Sequence, residues 1–389
     1  MEPQKYKSFL RNYLISSSLY DFVFAYAIYN VFFSLRGLSV FQISILLSWW
    51  ALTAMLFEIP SGALADYWSR KKMLMIAPLV KSFCFVIWFL ADGNFYLYAL
   101  GFLFWSIGSS FVSGTTESLL YDELVVFKKE DEYEKVLGKK KTCFHIALAI
   151  SMILGGFIAY YNLDWAIIFS VIPLLLSAIF AAFIKETAKI KSTEEIHYFE
   201  YIKIAYREVK GNKILLFLFA YSFGLSIFGN LEEFDQLYYQ IAGLPIFAFG
   251  LVGFLWSILN SIGAYYAHNF KNSIWIFYVF PLLAAVLLFF VGYQPNILTI
   301  GVLLFSYFIT SPLRILIDSK IQHNISSVGR ATVTSISNLL ICFFGVILTP
   351  IFGVIGKVWN LQAIYISTSI FLLFFVFWTF FNRKIFYKK

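Results

Sequence analysis

Charge is the scarcest ingredient of this sequence: Asp, Glu, Lys and Arg make up 13% of its 389 residues, about half the share found in an average soluble domain. With 60% of its residues hydrophobic, the chain has too few polar side chains to face water over its whole surface. Histidine is rarer still, and His145, His197, His268 and His323 stand at no zinc-binding spacing. Cysteine is equally sparse: Cys84, Cys143 and Cys342 lie in apolar segments, and their odd number offers no disulfide framework, so they read as small core residues. No Gly-x-x-x-x-Gly-Lys-Ser/Thr loop is present to cradle a nucleotide phosphate, and no nucleophile with a nearby base is legible. An ATP-driven machine and an enzyme are therefore not expected, nor is a metal or another cofactor.

Long apolar runs are what the sequence has in abundance. Runs of roughly 18 or more residues cross a hydrocarbon core of about 30 Å as helices. Twelve such spans are read, near 12–35, 41–65, 74–91, 94–126, 142–161, 165–184, 213–231, 241–267, 273–292, 297–318, 331–356 and 360–381. A transmembrane barrel needs segments of about ten residues alternating apolar and polar positions, and the run Phe371-Leu-Leu-Phe-Phe-Val-Phe-Trp-Thr-Phe-Phe381 does not alternate. The first run is too long for a secretory signal, contains Asp21 and lacks a small-residue cleavage pattern, so it is expected to remain as a span. The fold class that follows is an all-α membrane protein.

The net charge of +8 does not point to nucleic acid, because the basic residues are distributed by side. With spans crossing alternately, 26 of the 30 Lys and Arg fall on the side of the N-terminus, Arg36 and Lys357 fall on the other, and Lys81 and Arg314 lie within spans. The positive-inside rule then places both termini in the cytoplasm. The longest polar stretch, residues 185–212, divides the spans six and six, giving an N-terminal bundle (1–184), a linker (185–212) and a C-terminal bundle (213–389). Within the linker Tyr198, Ile202 and Val209 recur at helical spacing among basic residues, the pattern of either an amphipathic surface helix or a solvated connector. A faint internal repeat lays Gly62-Ala63 over Gly263-Ala264 and Arg70 over Lys271, as duplicated halves of a secondary transporter would.

The segment Gly62-Ala-Leu-Ala-Asp66-Tyr-Trp-Ser-Arg70-Lys71-Lys72 resembles the signature loop of the major facilitator superfamily, and it lies between the second and third spans as in that family. Tyr67 and Ser69 depart from the usual base and glycine. Glu58-Ile-Pro-Ser-Gly62, Ser113-Gly-Thr-Thr-Glu117-Ser-Leu-Leu-Tyr-Asp122, Gln236-Leu-Tyr-Tyr-Gln-Ile-Ala-Gly243-Leu-Pro and Arg330-Ala-Thr-Val-Thr-Ser-Ile resemble bacterial members grouped with drug:proton antiporters. Two marks of that group are missing: an Arg near Ser110 in the fourth span, and a Gly-Pro before Gly155-Gly156 in the fifth. The resemblance implies twelve helices in two pseudo-symmetric six-helix bundles, a monomer in the bacterial cytoplasmic (inner or plasma) membrane, surrounded by lipid. It further implies proton-coupled efflux of small amphipathic compounds or drugs by alternating access. Transport of one metabolite in either direction, lipid flipping and ligand sensing remain open.

A charge at mid-bilayer costs at least about 2.5–3.5 kcal/mol, so each one is a functional candidate. Glu117 in the fourth span is the leading candidate for the coupling proton, with Asp21 and Glu58 next; a permanent partner such as Lys81 is the rival reading for Glu117. Gly62, Asp66 and Arg70 are candidate gating residues: Asp66 can meet the positive end of a helix, and Arg70 can reach Asp122 or Glu123 at the end of the fourth span. Tyr26, Asn30, Trp105, Asn230, Trp256 and Asn260 are candidate substrate contacts in cavity or adjacent helices. Arg314 either pairs with Asp318, four residues on, or faces cargo. Glu232, Glu233 and Asp235 read as a solvated acidic rim, or as a vestibule attracting cations.

Overall fold

A chain in hydrocarbon must satisfy every backbone N–H and C=O internally, and helices do this within each segment. The computed structural model describes the chain except Met1, Trp68, Gly114 and residues 187–210, 271–272, 325–329 and 384–389, and at 2–3, 59, 62–67, 322 and 330–341 it describes the backbone alone. Among the described residues there are helices and turns and no strand. The linker, apart from its ends, and Lys271 lie outside the described residues.

The first span is broken rather than continuous. Helix α1 (Glu2–Tyr20) stops at Asp21, a 3-10 turn covers Phe24–Ala27, and α2 (Tyr29–Leu35) completes the crossing. Next come α3 (Val40–Tyr67), α4 (Arg70–Leu90), α5 (Phe95–Val112) and α6 (Thr115–Val126), the last two forming one span interrupted at Ser113. The fifth and sixth spans are α7 (Tyr133–Tyr161) and the pair α8 (Leu163–Phe169) and α9 (Val171–Ala182). The seventh is α10 (Lys213–Leu225) with α11 (Ile227–Glu232), followed by the short α12 (Asp235–Ile241). Then follow α13 (Phe249–Tyr265), α14 (Ile276–Tyr293), α15 (Ile297–Asn324), α16 (Arg330–Val358) and α17 (Leu361–Phe381). Among the described residues ten helical stretches are long and apolar enough to cross a membrane, and Cys342–Val358 within α16 is a shorter apolar one. The first span is absent from that set because its break leaves α1 with Lys5, Lys7 and Arg11.

Asparagine punctuates these helices. Asn94, Asn162, Asn212 and Asn360 stand immediately before α5, α8, α10 and α17, and each side-chain oxygen accepts a bond from the first turn's N–H groups. Such caps contribute roughly 1 kcal/mol each in water, and matter more where no solvent can substitute. Proline inside a helix frees the carbonyl four residues back. In α14 Pro281 frees that of Phe277, and the Tyr221 hydroxyl donates to it at 2.7 Å.

The chain divides into two contact-defined units, one built on the first six spans with Pro245–Phe254 added, the other on the last six with Ser39–Ile45 added. In the first unit α4 packs closely on α5 because Gly108 has no side chain: a Cβ there would stand 2.8 Å from the Ala77 carbonyl oxygen and 2.9 Å from the Lys81 Cβ. Gly155 does the same for α7, where a Cβ would lie 2.1 Å from the Phe24 carbonyl oxygen. Trp88 sits at the centre of this unit's aromatic core, its ring 4.8 Å from both Phe33 and Phe102.

Candidate functional site

Lys81 lies on α4 and its side chain is 1% exposed. Burying an ammonium costs several kcal/mol unless it is paired and hydrogen-bonded, and the break in the first span supplies the partners. Lys81 Nζ donates to the Tyr26 hydroxyl at 2.8 Å, to Asp21 Oδ1 at 3.3 Å and to the Tyr20 carbonyl at 3.3 Å. The Tyr20 carbonyl belongs to the last turn of α1, where carbonyls lack intrahelical partners and the helix dipole favours a cation. The Tyr20 ring adds a cation–π contact at 4.0 Å, with Trp105 at 5.4 Å. Tyr26 in turn donates to Asp21 Oδ1 at 3.1 Å. Lysine, carboxylate and phenol thus form one closed triangle at the end of a helix.

Asp21 also faces outward. Its side chain is 25% exposed and lines a cavity of about 260 Å³ shared with Ser16, Thr116, Ser177 and Lys140. This volume falls below the roughly 300–1,000 Å³ typical of drug-sized sites, so the cavity suits a small polar group or ion exchange at Asp21. Lys140 Nζ stands 3.9 Å from Glu117 Oε1. Charges therefore alternate in sign from the interior outward: Lys81, Asp21, Lys140, Glu117. Glu117, expected as a charge inside the fourth span, has a side chain that is 55% exposed and falls in the first turn of α6. It does not pair with Lys81, which Asp21 holds.

A second polar cluster sits at the start of α4. Ser69 caps the helix, accepting from the Lys72 amide at 3.2 Å, so the serine that departs from the signature's glycine has a structural use. Arg70 forms an ion pair with Asp122 and donates to the Ser118 carbonyl at 3.1 Å, choosing Asp122 of the two acids expected. Glu186 accepts from the Ser69 hydroxyl and, at 3.0 Å, from the Arg70 amide. It therefore helps cap the N-terminus of α4, while the side chain of Asp66 and the surroundings of Gly62 lie outside the described residues. Glu58 accepts from Ser113 at 2.6 Å, which joins the second span to the break in the fourth.

A family model described as Major Facilitator Superfamily matches residues 14–350. The chain belongs to the major facilitator superfamily. It is 23% identical over 333 residues to a transporter of Buchnera aphidicola described as uncharacterized, a match covering 80% of each chain. Its fold matches the nucleoside transporter NupG with a TM-score of 0.71 at 15% identity, over 99% of this chain and 98% of that one. A bacterial homolog to the human lysosomal transporter Spinster gives 0.76 at 15% identity, over 99% and 97%. The xylose transporter XylE from E. coli gives 0.66 at 12% identity, over 96% and 95%. The chain is thus a multi-pass membrane transporter with the all-helical major facilitator fold, working by alternating access.

Against that superfamily fold the remaining candidates fall into two groups. Tyr26 and Trp105 converge on Lys81, their rings 5.4 Å apart, and Asn30 is buried nearby on α2. In the other unit, Asn230 accepts from Thr349 at 3.2 Å, and Asn260 donates to the Trp256 carbonyl of its own helix at 3.0 Å. The Trp256 indole N–H is buried with no hydrogen-bond partner. Arg314 is exposed and makes no ion pair with Asp318; its guanidinium lies beside Gly229, where an added Cβ would meet Nη2 at 3.2 Å. The acidic rim reading fails for Asp235, which is 3% exposed and accepts from Tyr365 at 2.9 Å. Three participants escaped the sequence: Lys81 as partner of Asp21, Glu186 as helix cap, and Asp235 as a core acid. Their only local signals were a charge inside a span and an acid at the end of one.

Proposed function

We propose that this transporter exports small amphipathic compounds from the bacterial cytoplasm in exchange for protons, with Asp21 and Glu117 on the proton path. The observation that carries this reading is the Lys81–Asp21–Tyr26 triangle, in which a fully buried cation depends on a carboxylate whose other side opens on a cavity. A proton delivered to Asp21 removes the countercharge of Lys81, and the buried ammonium then needs a new arrangement around it. That is the differential stabilisation of two states that coupling requires. Lys140 and Glu117 extend the same alternation of charge toward the opening. Glu58, held by Ser113, braces the gate and is the third candidate carrier.

The Arg70–Asp122 pair and its neighbours Gly62, Asp66 and Glu186 act as a latch that must open as the transporter cycles. Tyr26, Asn30, Trp105, Asn230, Trp256, Asn260 and Arg314 contact cargo. The chain functions as a monomer of two six-helix bundles, 1–184 and 213–389, joined by a cytoplasmic linker, both termini facing the cytoplasm of the inner membrane. A second reading, transport of one polar metabolite, is favoured by the hydroxyl-rich cavity and by the similar structures, which are of nucleoside and xylose transporters.

The test is proton movement in inverted vesicles with a preset pH gradient, using a panel of labelled amphipathic cations and neutral compounds. Export coupled to protons dissipates the gradient for some compound with the unmodified chain and not with Glu117→Gln. Labelled compound crossing with no proton movement overturns the coupling, and movement of a nucleoside or sugar alone selects the second reading.

A further inference from the structure

Asp235 opens α12, just after the seventh span, and its side chain is sealed from solvent. Oδ1 accepts one hydrogen bond, from the Tyr365 hydroxyl at 2.9 Å. Oδ2 is buried with no hydrogen-bond partner, and so is the Tyr307 hydroxyl, which faces the same carboxyl group. No Lys, Arg or His among the described residues lies within 4 Å of Asp235, and no described group of acids, histidines and cysteines could hold a metal ion. The groups around it are of its own sign or neutral. Glu232 and Glu233 lie at the end of α11, Tyr238 and Tyr239 lie on α12, Tyr307 comes from α15 and Tyr365 from α17. Arg314 on α15 acts on Glu232 instead.

An ionised carboxylate in this cage would have only hydroxyl donors around it and no cation to balance its charge in a low-dielectric interior, which disfavours the charged form. A single proton removes that charge. Placed on Oδ2, it lets the carboxyl donate to the Tyr307 oxygen, so the neutral group has a partner there as well. We infer that Asp235 is a proton-binding site of the C-terminal bundle, occupied at neutral pH and emptied only when the tyrosine cage around it opens. The burial that seals the group also pushes its pKa well above the ordinary carboxylate value, against the pull of Tyr307 and Tyr365. Tyr238, raised to about 12, stays a neutral phenol across the same range. That this proton takes part in the transport cycle rests on the proton-coupled reading above; that the site holds it does not.

The experiment is infrared difference spectroscopy of the reconstituted full-length protein during a pH titration, following the carbonyl stretch of protonated carboxyl groups. At neutral pH such a band is expected in the unmodified chain and absent in Asp235→Asn. Tyr307→Phe is expected to shift its frequency, and Tyr365→Phe, which deletes a donor to the ionised form, to raise the pH at which it disappears. A neutral-pH spectrum in which Asp235→Asn keeps every protonated-carboxyl band overturns the inference. If that variant does not fold, an unshifted band in Tyr307→Phe overturns it equally. The readout needs no substrate. A band present while no compound moves protons leaves the site standing and removes the coupled reading; a missing band removes the site and leaves coupling to Asp21 and Glu117.

Discussion

Lys81 and Asp21 are 60 positions apart in sequence and share one ion pair, and the strength of that dependence is measurable. Removing one partner of a buried pair leaves the other charge uncompensated, at a cost of about 3–5 kcal/mol. Asp21→Asn is expected to lose about that much stability, read as thermal unfolding in detergent, whereas Lys81→Met loses less because Asp21 keeps its cavity face. The double variant should recover much of the loss, and a double variant no more stable than Asp21→Asn alone would show that the pair is not interdependent. Asp235 makes a pH prediction with a definite sign. Its folded pKa lies above the ordinary 3.8, so the stability it contributes is complete below that value and declines as pH rises toward the folded pKa. Relative to the unmodified chain, Asp235→Asn should therefore gain in thermal midpoint as pH increases, and a difference that stays constant with pH would refute this.

Helix ends and breaks decide what the elements can do. The interruption at Asp21–Val23 exposes the carbonyl end of α1 to Lys81, and Gly155 admits the following 3-10 turn against α7. Gly155→Leu and Gly108→Leu are expected to destabilise the protein by at least about 1–3 kcal/mol, as overpacking does, since their side chains meet backbone carbonyls rather than flexible groups. Unchanged thermal midpoints would show that these helices can separate without loss. At the start of α4, Glu186→Ala should cost about 1 kcal/mol through the lost cap, read as a lower thermal midpoint. Much of this level was legible beforehand. Long apolar runs gave the spans, and the signature segment directed Arg70 toward Asp122 or Glu123, of which it meets Asp122. The break in the first span was not legible, because nothing in Leu19-Tyr-Asp-Phe-Val23 forbids a helix. It persists through Lys81, and a contact over 60 positions leaves no local trace. Asp235 misled for the complementary reason: three acids within four residues look like a solvated rim until Tyr307 and Tyr365 arrive from distant helices to enclose one of them.

At the scale of the whole molecule, the asymmetry of 26 against two basic residues predicts that both termini face the cytoplasm. A membrane-impermeant maleimide should label Lys357→Cys in intact cells and leave Lys71→Cys unlabelled; the reverse pattern would invert the assignment of sides and with it the direction of proton flow. The central claim is that the Lys81–Asp21 pair links proton movement to the passage of cargo. Its most direct measurement compares equilibrium exchange with uphill, gradient-driven transport of one identified compound in proteoliposomes containing Asp21→Asn. Exchange should persist, since the neutral side chain mimics the protonated carrier, while accumulation against a gradient and the accompanying pH change should vanish. Uphill transport at the unmodified rate in Asp21→Asn would contradict the claim and leave the pair as a structural brace.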